Sequence, residues 1–137
     1  MSVLVDTSAW VEFFHPRGVA VAKHIIAAAL EDGLVVTVPP VLTELLTGLE
    51  PGHAAGARAV AYLHALRILD LPWDVCLRAG ALGRRLARRG QRAPTVDLMI
   101  AAAAASGGHD VWHVGDGHFA AIEAAGGPRQ RDLTKKV

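Results

Sequence analysis

The sequence has a single cysteine, Cys76, so its fold cannot rest on an intramolecular disulfide framework. Cys76 sits between Val75 and Leu77 and is expected to be a small core residue. No apolar run approaches the length of a membrane span; the longest soft stretch, Met99 to Ala105, is short and mostly alanine. The N-terminus lacks a basic segment leading into an apolar one, so no signal peptide is expected and a soluble cytoplasmic protein is the default. Strong charge of either sign is also missing. The formal net charge is +1, so nothing global points to nucleic acid and only local charge can. The P-loop pattern and the Rossmann glycine fingerprint are both absent. No internal repeat or low-complexity linker divides the chain.

What remains is 137 residues, 52% of them apolar. That is enough to bury a sizeable core without staples, and it argues against disorder. One domain over residues 1–137 is expected.

The stretch Val3-Leu4-Val5-Asp6-Thr7-Ser8 organises the rest. Three β-favouring apolar residues read as a short strand buried on both faces. Asp6, Thr7 and Ser8 then favour a helix N-terminus, so Asp6 stands where a strand ends and a helix begins. It is either a cap or, at the carboxyl end of a strand in an α/β sheet, a catalytic or metal-binding group. Helices are expected over Ala9–Phe14 and Val19–Leu30, and a strand over Leu34–Val38. Pro40 then suits the first position of a helix over Val41–Leu49. Glu44, inside that helix, reads as a glutamate at the solvent border, yet its helix starts just after a strand.

Ala54–Leu66 reads as helix and Ile68–Leu71 as a weak strand. A helix from Pro72 to about Arg89 follows, with Val75, Ala79, Leu82 and Leu86 as its apolar stripe. Arg84, Arg85, Arg88, Arg89 and Arg92 fall at its end with no acid among them. They make either a solvated face helped by the helix dipole or a surface for a phosphate backbone. Thr95 is expected to cap the next helix, whose first turn carries Asp97 and whose body, Leu98 to Ala105, is apolar enough to be buried. Val111–Val114 reads as strand, and Asp116 follows it in Gly115-Asp116-Gly117, either as a plain turn or as a repeat of the Asp6 arrangement. Arg129 to Leu133 suits an edge strand.

This alternation predicts an α/β domain with a parallel sheet, whose strand ends and following helix starts share one rim. Asp6, Glu44, Asp97 and Asp116, separated by 38, 53 and 19 residues, are thereby expected in one crevice. Four adjacent carboxylates repel one another, and a hard divalent cation, Mg²⁺ or Mn²⁺, resolves the repulsion. A metal beside a basic surface points to a phosphodiester substrate.

Four segments carry a resemblance: Val5-Asp6-Thr7-Ser8-Ala9-Trp10, Pro40-Val41-Leu42-Thr43-Glu44-Leu45, Asp97-Leu98-Met99-Ile100-Ala101-Ala102 and Gly115-Asp116-Gly117-His118-Phe119. In their order and spacing the chain resembles the PIN-domain ribonucleases, most of all the VapC toxins of VapBC toxin–antitoxin modules. The resemblance implies a three-layer α/β/α sandwich with a central parallel sheet. It implies a Mg²⁺- or Mn²⁺-dependent endoribonuclease that cuts RNA, often tRNA or rRNA, and that forms homodimers. It implies a VapB antitoxin that lays a C-terminal segment across the active site, in a complex that represses its own operon. By match, Asp6, Glu44, Asp97 and Asp116 form the catalytic and metal-binding set, with Thr7 or Ser8 supporting it. Arg85, Arg88, Arg89 and Arg92 become candidates for holding RNA.

Two positions depart from the family pattern. Val114 stands where a Thr or Ser is common, which removes a hydroxyl. His118 stands where another acid is common, which lowers the negative charge and puts the choice between Mg²⁺ and Mn²⁺ in question. His118 is then a surface residue or a phosphate contact. A PIN-like RNA- or protein-binding module without catalysis is the alternative, though it has no need of all four acids. A haloacid-dehalogenase-type enzyme needs a second Asp where Ser8 stands. A zinc site from His109 and His113 is not implied, because they flank a strand.

Overall fold

Val3, Leu4 and Val5 are almost wholly inaccessible and form β1 (Val3–Val5), the middle strand of a five-stranded sheet. The computed structural model describes residues 1–135. Among them α1 (Thr7–Phe14) and α2 (Ala20–Glu31) lead to β2 (Val35–Thr37), and α3 (Pro39–Gly48) and α4 (Ala54–His64) lead to β3 (Arg67–Ile68). Then come α5 (Trp73–Arg88), α6 (Thr95–Gly107), β4 (Asp110–His113), α7 (His118–Ala124) and β5 (Gln130–Asp132).

The strand order is β3-β2-β1-β4-β5 and every pairing is parallel. Leu4 lies opposite Val36 on one side and Val111 on the other. The chain therefore steps outward from β1 in one direction, returns across the sheet, and continues in the other. Right-handed crossovers then put α1 to α4 on one face and α5 to α7 on the other. The packing agrees: α1 touches α2 and α3, and α6 touches α5 and α7. Tyr62 of α4 meets the rings of Phe13 and Phe14 on α1. This is the expected three-layer α/β/α sandwich with a parallel sheet. The gap between β1 and β4, where the winding direction changes, opens a crevice at their carboxyl ends.

The core explains why these segments persist although the strands are short. Trp10 of α1 is fully buried and stacks on Phe14, with centroids 5.4 Å apart. Val75, Ala79, Leu82 and Leu86, the stripe expected on α5, are all buried. Ile100 to Ala104 bury the body of α6 on nearly every side, as its continuous apolar sequence requires. Small alanines there let α5 approach closely, and Gly83 helps: a Cβ on it would lie 3.1 Å from Leu98 Cδ1.

Several expectations need correction. Cys76 is exposed, not a core residue. Val75 and Ala79 take the buried stripe, and Cys76 lies about 100° round the helix from Val75. Thr95 does not cap α6. Pro94 holds the cap position, its carbonyl accepting from the Leu98 N–H at 3.1 Å, and Thr95 is already helical. α3 begins at Pro39, so Pro40 is its second residue, and α1 begins at Thr7 rather than Ala9. β3 has only two residues, both exposed, as an edge strand tolerates. The other edge is β5, within the predicted Arg129–Leu133 stretch. Among the described residues no helix is long and apolar enough to cross a membrane.

Candidate functional site

Asp6 follows β1 directly, and its N–H donates to the carbonyl of Trp112 at 2.8 Å, so the ends of β1 and β4 are bonded together at the crevice. Its side chain does cap α1: Oδ2 accepts from the Ser8 N–H at 3.1 Å and from Ser8 Oγ at 2.6 Å. Capping does not take Asp6 away from the crevice: it is only 4% exposed, and Asp116 lies within electrostatic reach of its carboxyl. Burial raises its pKa above the usual carboxylate range, and the charge of Asp116 adds to this, against the pull of the Ser8 hydrogen bonds.

Ser8 does a second job. Its Oγ accepts the Val114 N–H at 3.1 Å, across a sequence separation of 106 residues. Ser8 thereby ties the start of α1 to the residue that follows β4. Ser8→Ala removes one donor from Asp6 and leaves the Val114 N–H without its partner. It is expected to destabilise the protein by about 1–2 kcal/mol, read from the urea midpoint.

Asp116 is set by the turn after β4. Gly115 takes φ +66°, a left-handed conformation that suits glycine, and the chain folds back on itself. The Asp116 N–H then donates to His113 Nδ1 at 3.2 Å. With Nδ1 as acceptor, the proton of this buried imidazole sits on Nε2, which donates to Gln130 Oε1 at 2.6 Å. Gln130 Nε2 in turn donates to Glu123 Oε1 at 3.0 Å. His113 is therefore a positioning residue for the Asp116 backbone, linked to β5 and α7. It shares no site with His109, in line with the sequence reading of that pair.

Asp97 enters from the other helical layer, in the first turn of α6. It is 7% exposed, and its Oδ2 is buried without a hydrogen-bond partner. Burial, the charges of Asp116 and Asp6, and contact with Asp116 push its pKa up to about 7; His118 opposes them. His118 Nδ1 lies 2.9 Å from Asp116 Oδ1 and 3.2 Å from Asp97 Oδ2. The His118 N–H also donates to Asp116 Oδ1, at 3.0 Å. Asp97, Asp116 and His118 each offer one ligand atom within 4.8 Å of the others.

Glu44 stands apart from that trio. It is exposed on α3, where Thr7 Oγ1 donates to its Oε1 at 2.7 Å. It lines the same open cleft, about 480 Å³, as Ser8, Asp97, Asp116 and His118. So Thr7 and Ser8 support different acids: Thr7 holds Glu44, and Ser8 holds Asp6. The structure brings all four predicted carboxylates to one rim: Asp97 and Asp116 lie together with His118, Asp6 is within electrostatic reach of both, and Glu44 lines the same cleft from α3. Sequence reasoning left His118 outside the acid set. The signal available was its place two residues after Asp116 at a helix start.

A divalent cation fits this donor set. Three buried or half-buried carboxylates converge, and among the described residues no Lys or Arg pairs with any of them. The orphaned Asp97 Oδ2 and the raised pKa of its carboxyl are what a cation would relieve.

The arginines divide. Arg85 reaches from α5 to the end of α7, where Nη1 donates to the Ala125 carbonyl at 3.4 Å, so part of its role is to join helices. Arg84, Arg88, Arg89 and Arg92 are exposed and in no ion pair among the described residues. The segment from Arg88 to Arg92 leads into Pro94, which lines the cleft.

A family model described as PIN domain matches residues 3–124. No curated protein sequence matches the chain. Among solved structures it is similar to a DNA-bound VapBC from Salmonella typhimurium, with TM-score 0.72, 21% identity, and 97% of this chain and 98% of that one covered. It is similar to VapBC2 from Rickettsia felis bound to a promoter DNA fragment, with TM-score 0.76, 17% identity, and coverage of 96% and 98%. It is also similar to Mycobacterium tuberculosis VapC20, a toxin that cleaves the sarcin-ricin loop, with TM-score 0.64, 27% identity, and coverage of 92% and 96%.

Proposed function

The chain belongs to the PIN-domain family, and from that premise we propose that it is a metal-dependent endoribonuclease toxin of the VapC type, a hydrolase of RNA phosphodiester bonds. In this reading it is a single PIN domain over residues 1–137, acts in the cytoplasm on tRNA or rRNA, and is neutralised by a cognate VapB-type antitoxin. The observation that carries the reading is the unpartnered, buried Asp97 Oδ2 beside Asp116, Asp6 and His118 at the β1/β4 crevice.

Asp6, Asp97 and Asp116 would hold Mg²⁺ or Mn²⁺. When bound, the cation neutralises the carboxylates and supplies positive charge for the phosphoryl oxygens. The protein's own groups do the rest. Ser8 keeps Asp6 Oδ2 turned to its helix cap, and the His113–Gln130–Glu123 chain holds the backbone at Asp116. Thr7 fixes one oxygen of Glu44 and leaves the other free to accept a proton from an attacking water at the cleft wall. Arg88, Arg89 and Arg92 hold the RNA backbone beside the cleft. In the homodimer, α2 and α4 are the candidate contact helices, with Val21 and Tyr62 each half exposed.

The test is to incubate total RNA with purified protein and Mn²⁺ or Mg²⁺, then map the product ends. Discrete fragments with shared internal ends are expected. A ladder receding from one terminus contradicts endonucleolytic cleavage, and intact RNA bound to the protein favours the non-catalytic PIN-like module. The basic rim makes a separate prediction. Replacing Arg88, Arg89 and Arg92 with Ala together is expected to weaken RNA binding to an Asp6→Asn background about uniformly across sequences. It is also expected to reduce the slope of log affinity against log salt by about 2, read by filter binding at several salt concentrations.

A further inference from the structure

The acid cluster contains one group that is not an acid. His118 carries its imidazole nitrogen into the space between Asp97 and Asp116, where a free surface histidine has no reason to be. Its backbone N–H is held by Asp116 Oδ1, and the next residue, Phe119, is 1% exposed and packs against the buried ring of His113, so the start of α7 is anchored on both sides. The other face of the imidazole is open to water, the side chain being 48% exposed. Nδ1 is thus the inward atom, donating to the carboxylates while no cation is present; a bound cation would take its lone pair and leave the ring proton on Nε2, toward solvent. Apart from His118 Nδ1, 3.2 Å away, Asp97 Oδ2 has no polar partner among the described residues.

We infer that His118 Nδ1 is a direct ligand of the catalytic divalent cation, beside Asp97 and Asp116, and that it makes the site prefer Mn²⁺ to Mg²⁺. This rests on the metal-dependent reading above. An all-oxygen set suits Mg²⁺, which dehydrates reluctantly and is bound through carboxylates and waters. An imidazole nitrogen is a softer donor than a carboxylate oxygen and suits transition metals; of the two ions at issue, Mn²⁺ is the transition metal and gains more from it than Mg²⁺. A carboxylate at position 118 would raise the negative charge and favour Mg²⁺; the imidazole lowers it and supplies a softer donor.

The experiment is a Mn²⁺ titration of the purified, metal-stripped protein followed by electron paramagnetic resonance, with pulsed detection of ¹⁴N coupling, and calorimetric titrations of Mn²⁺ and Mg²⁺. Wild type is expected to bind Mn²⁺ with a histidine nitrogen coupling and more tightly than Mg²⁺. His118→Ala is expected to lose the coupling and about tenfold in Mn²⁺ affinity, with Mg²⁺ affinity changed far less. His118→Asp is expected to narrow the preference by strengthening Mg²⁺ binding. A thermal melt of each variant reports that it is folded. Mn²⁺ bound by wild type without nitrogen coupling, or coupling that survives in folded His118→Ala, overturns the assignment of His118 while leaving the metal site standing. Failure of wild type to bind either ion overturns both.

Discussion

Asp6→Asn is expected to lower RNA cleavage on the order of 10³-fold while leaving the thermal midpoint within a few degrees of wild type. The two halves of that result come from different atoms of one side chain. The structural duty of Asp6 is to accept from the Ser8 N–H and hydroxyl, and an asparagine oxygen does this as well, since Asn caps helices about as strongly as Asp. What Asn cannot supply is negative charge at the β1/β4 crevice, where Asp116 and Asp97 lie within electrostatic reach. Burial already disfavours the charged form of Asp6, so neutralising it is expected to cost the fold little. Single-turnover cleavage together with a melting curve separates the two duties. Retained activity in a folded variant would remove Asp6 from the mechanism.

The second large effect concerns stability. Asp97 has a pKa of about 7 in the folded, metal-free protein, against 3.8 for an ordinary aspartate. Between those values the native state holds a proton that the unfolded state releases. The contribution of Asp97 is therefore full below about pH 4 and is lost as pH rises through 7. In the presence of chelator, the wild-type melting temperature is expected to fall between pH 5 and pH 8. Asp97→Asn is expected to flatten most of that fall and to be more stable than wild type at pH 8 by about 1–2 kcal/mol. Asp6, raised in the same direction, leaves a residual slope. A divalent cation is expected to restore wild type and to do little for the variant. An unchanged pH slope in Asp97→Asn would mean that the Asp97 carboxyl is not the strained group. A variant that loses activity and gains stability is the signature of a site held against its own repulsion for function.

Much of this arrangement is legible from residue order because parallel α/β folds tie position in the chain to position on the rim. Val3 to Val5 are apolar, Val111 to Val114 mostly so, and both short runs lead directly into Asp6 and the Asp116 turn, so those two acids can be found locally. Glu44 and Asp97 cannot; each is an ordinary helix residue until the fold brings the starts of α3 and α6 to the same edge. The supporting bonds were out of reach for a plainer reason. Ser8 meets Val114, and His113 meets Gln130, through contacts that depend on strand register rather than on spacing. His118 is exposed, as a surface histidine should be, but its Nδ1 also faces Asp97 and Asp116, and that sidedness follows from one backbone hydrogen bond to Asp116 that no spacing in the sequence reveals. Thr95 has the residue type of a cap, but Pro94, with its fixed φ, takes that place. Cys76 went wrong because a residue beside a buried stripe on a helix is not in it.

The crevice between β1 and β4 is expected to cut RNA only when it holds a divalent cation. The measurement that tests this most directly is single-turnover cleavage of RNA by protein freed of antitoxin, stripped with chelator, and then given back Mn²⁺ or Mg²⁺, beside Asp6→Asn in the same series. No cleavage is expected in chelator, with recovery on adding metal and no recovery in Asp6→Asn. Cleavage that persists in chelator, or that Asp6→Asn carries out at the wild-type rate, would contradict it.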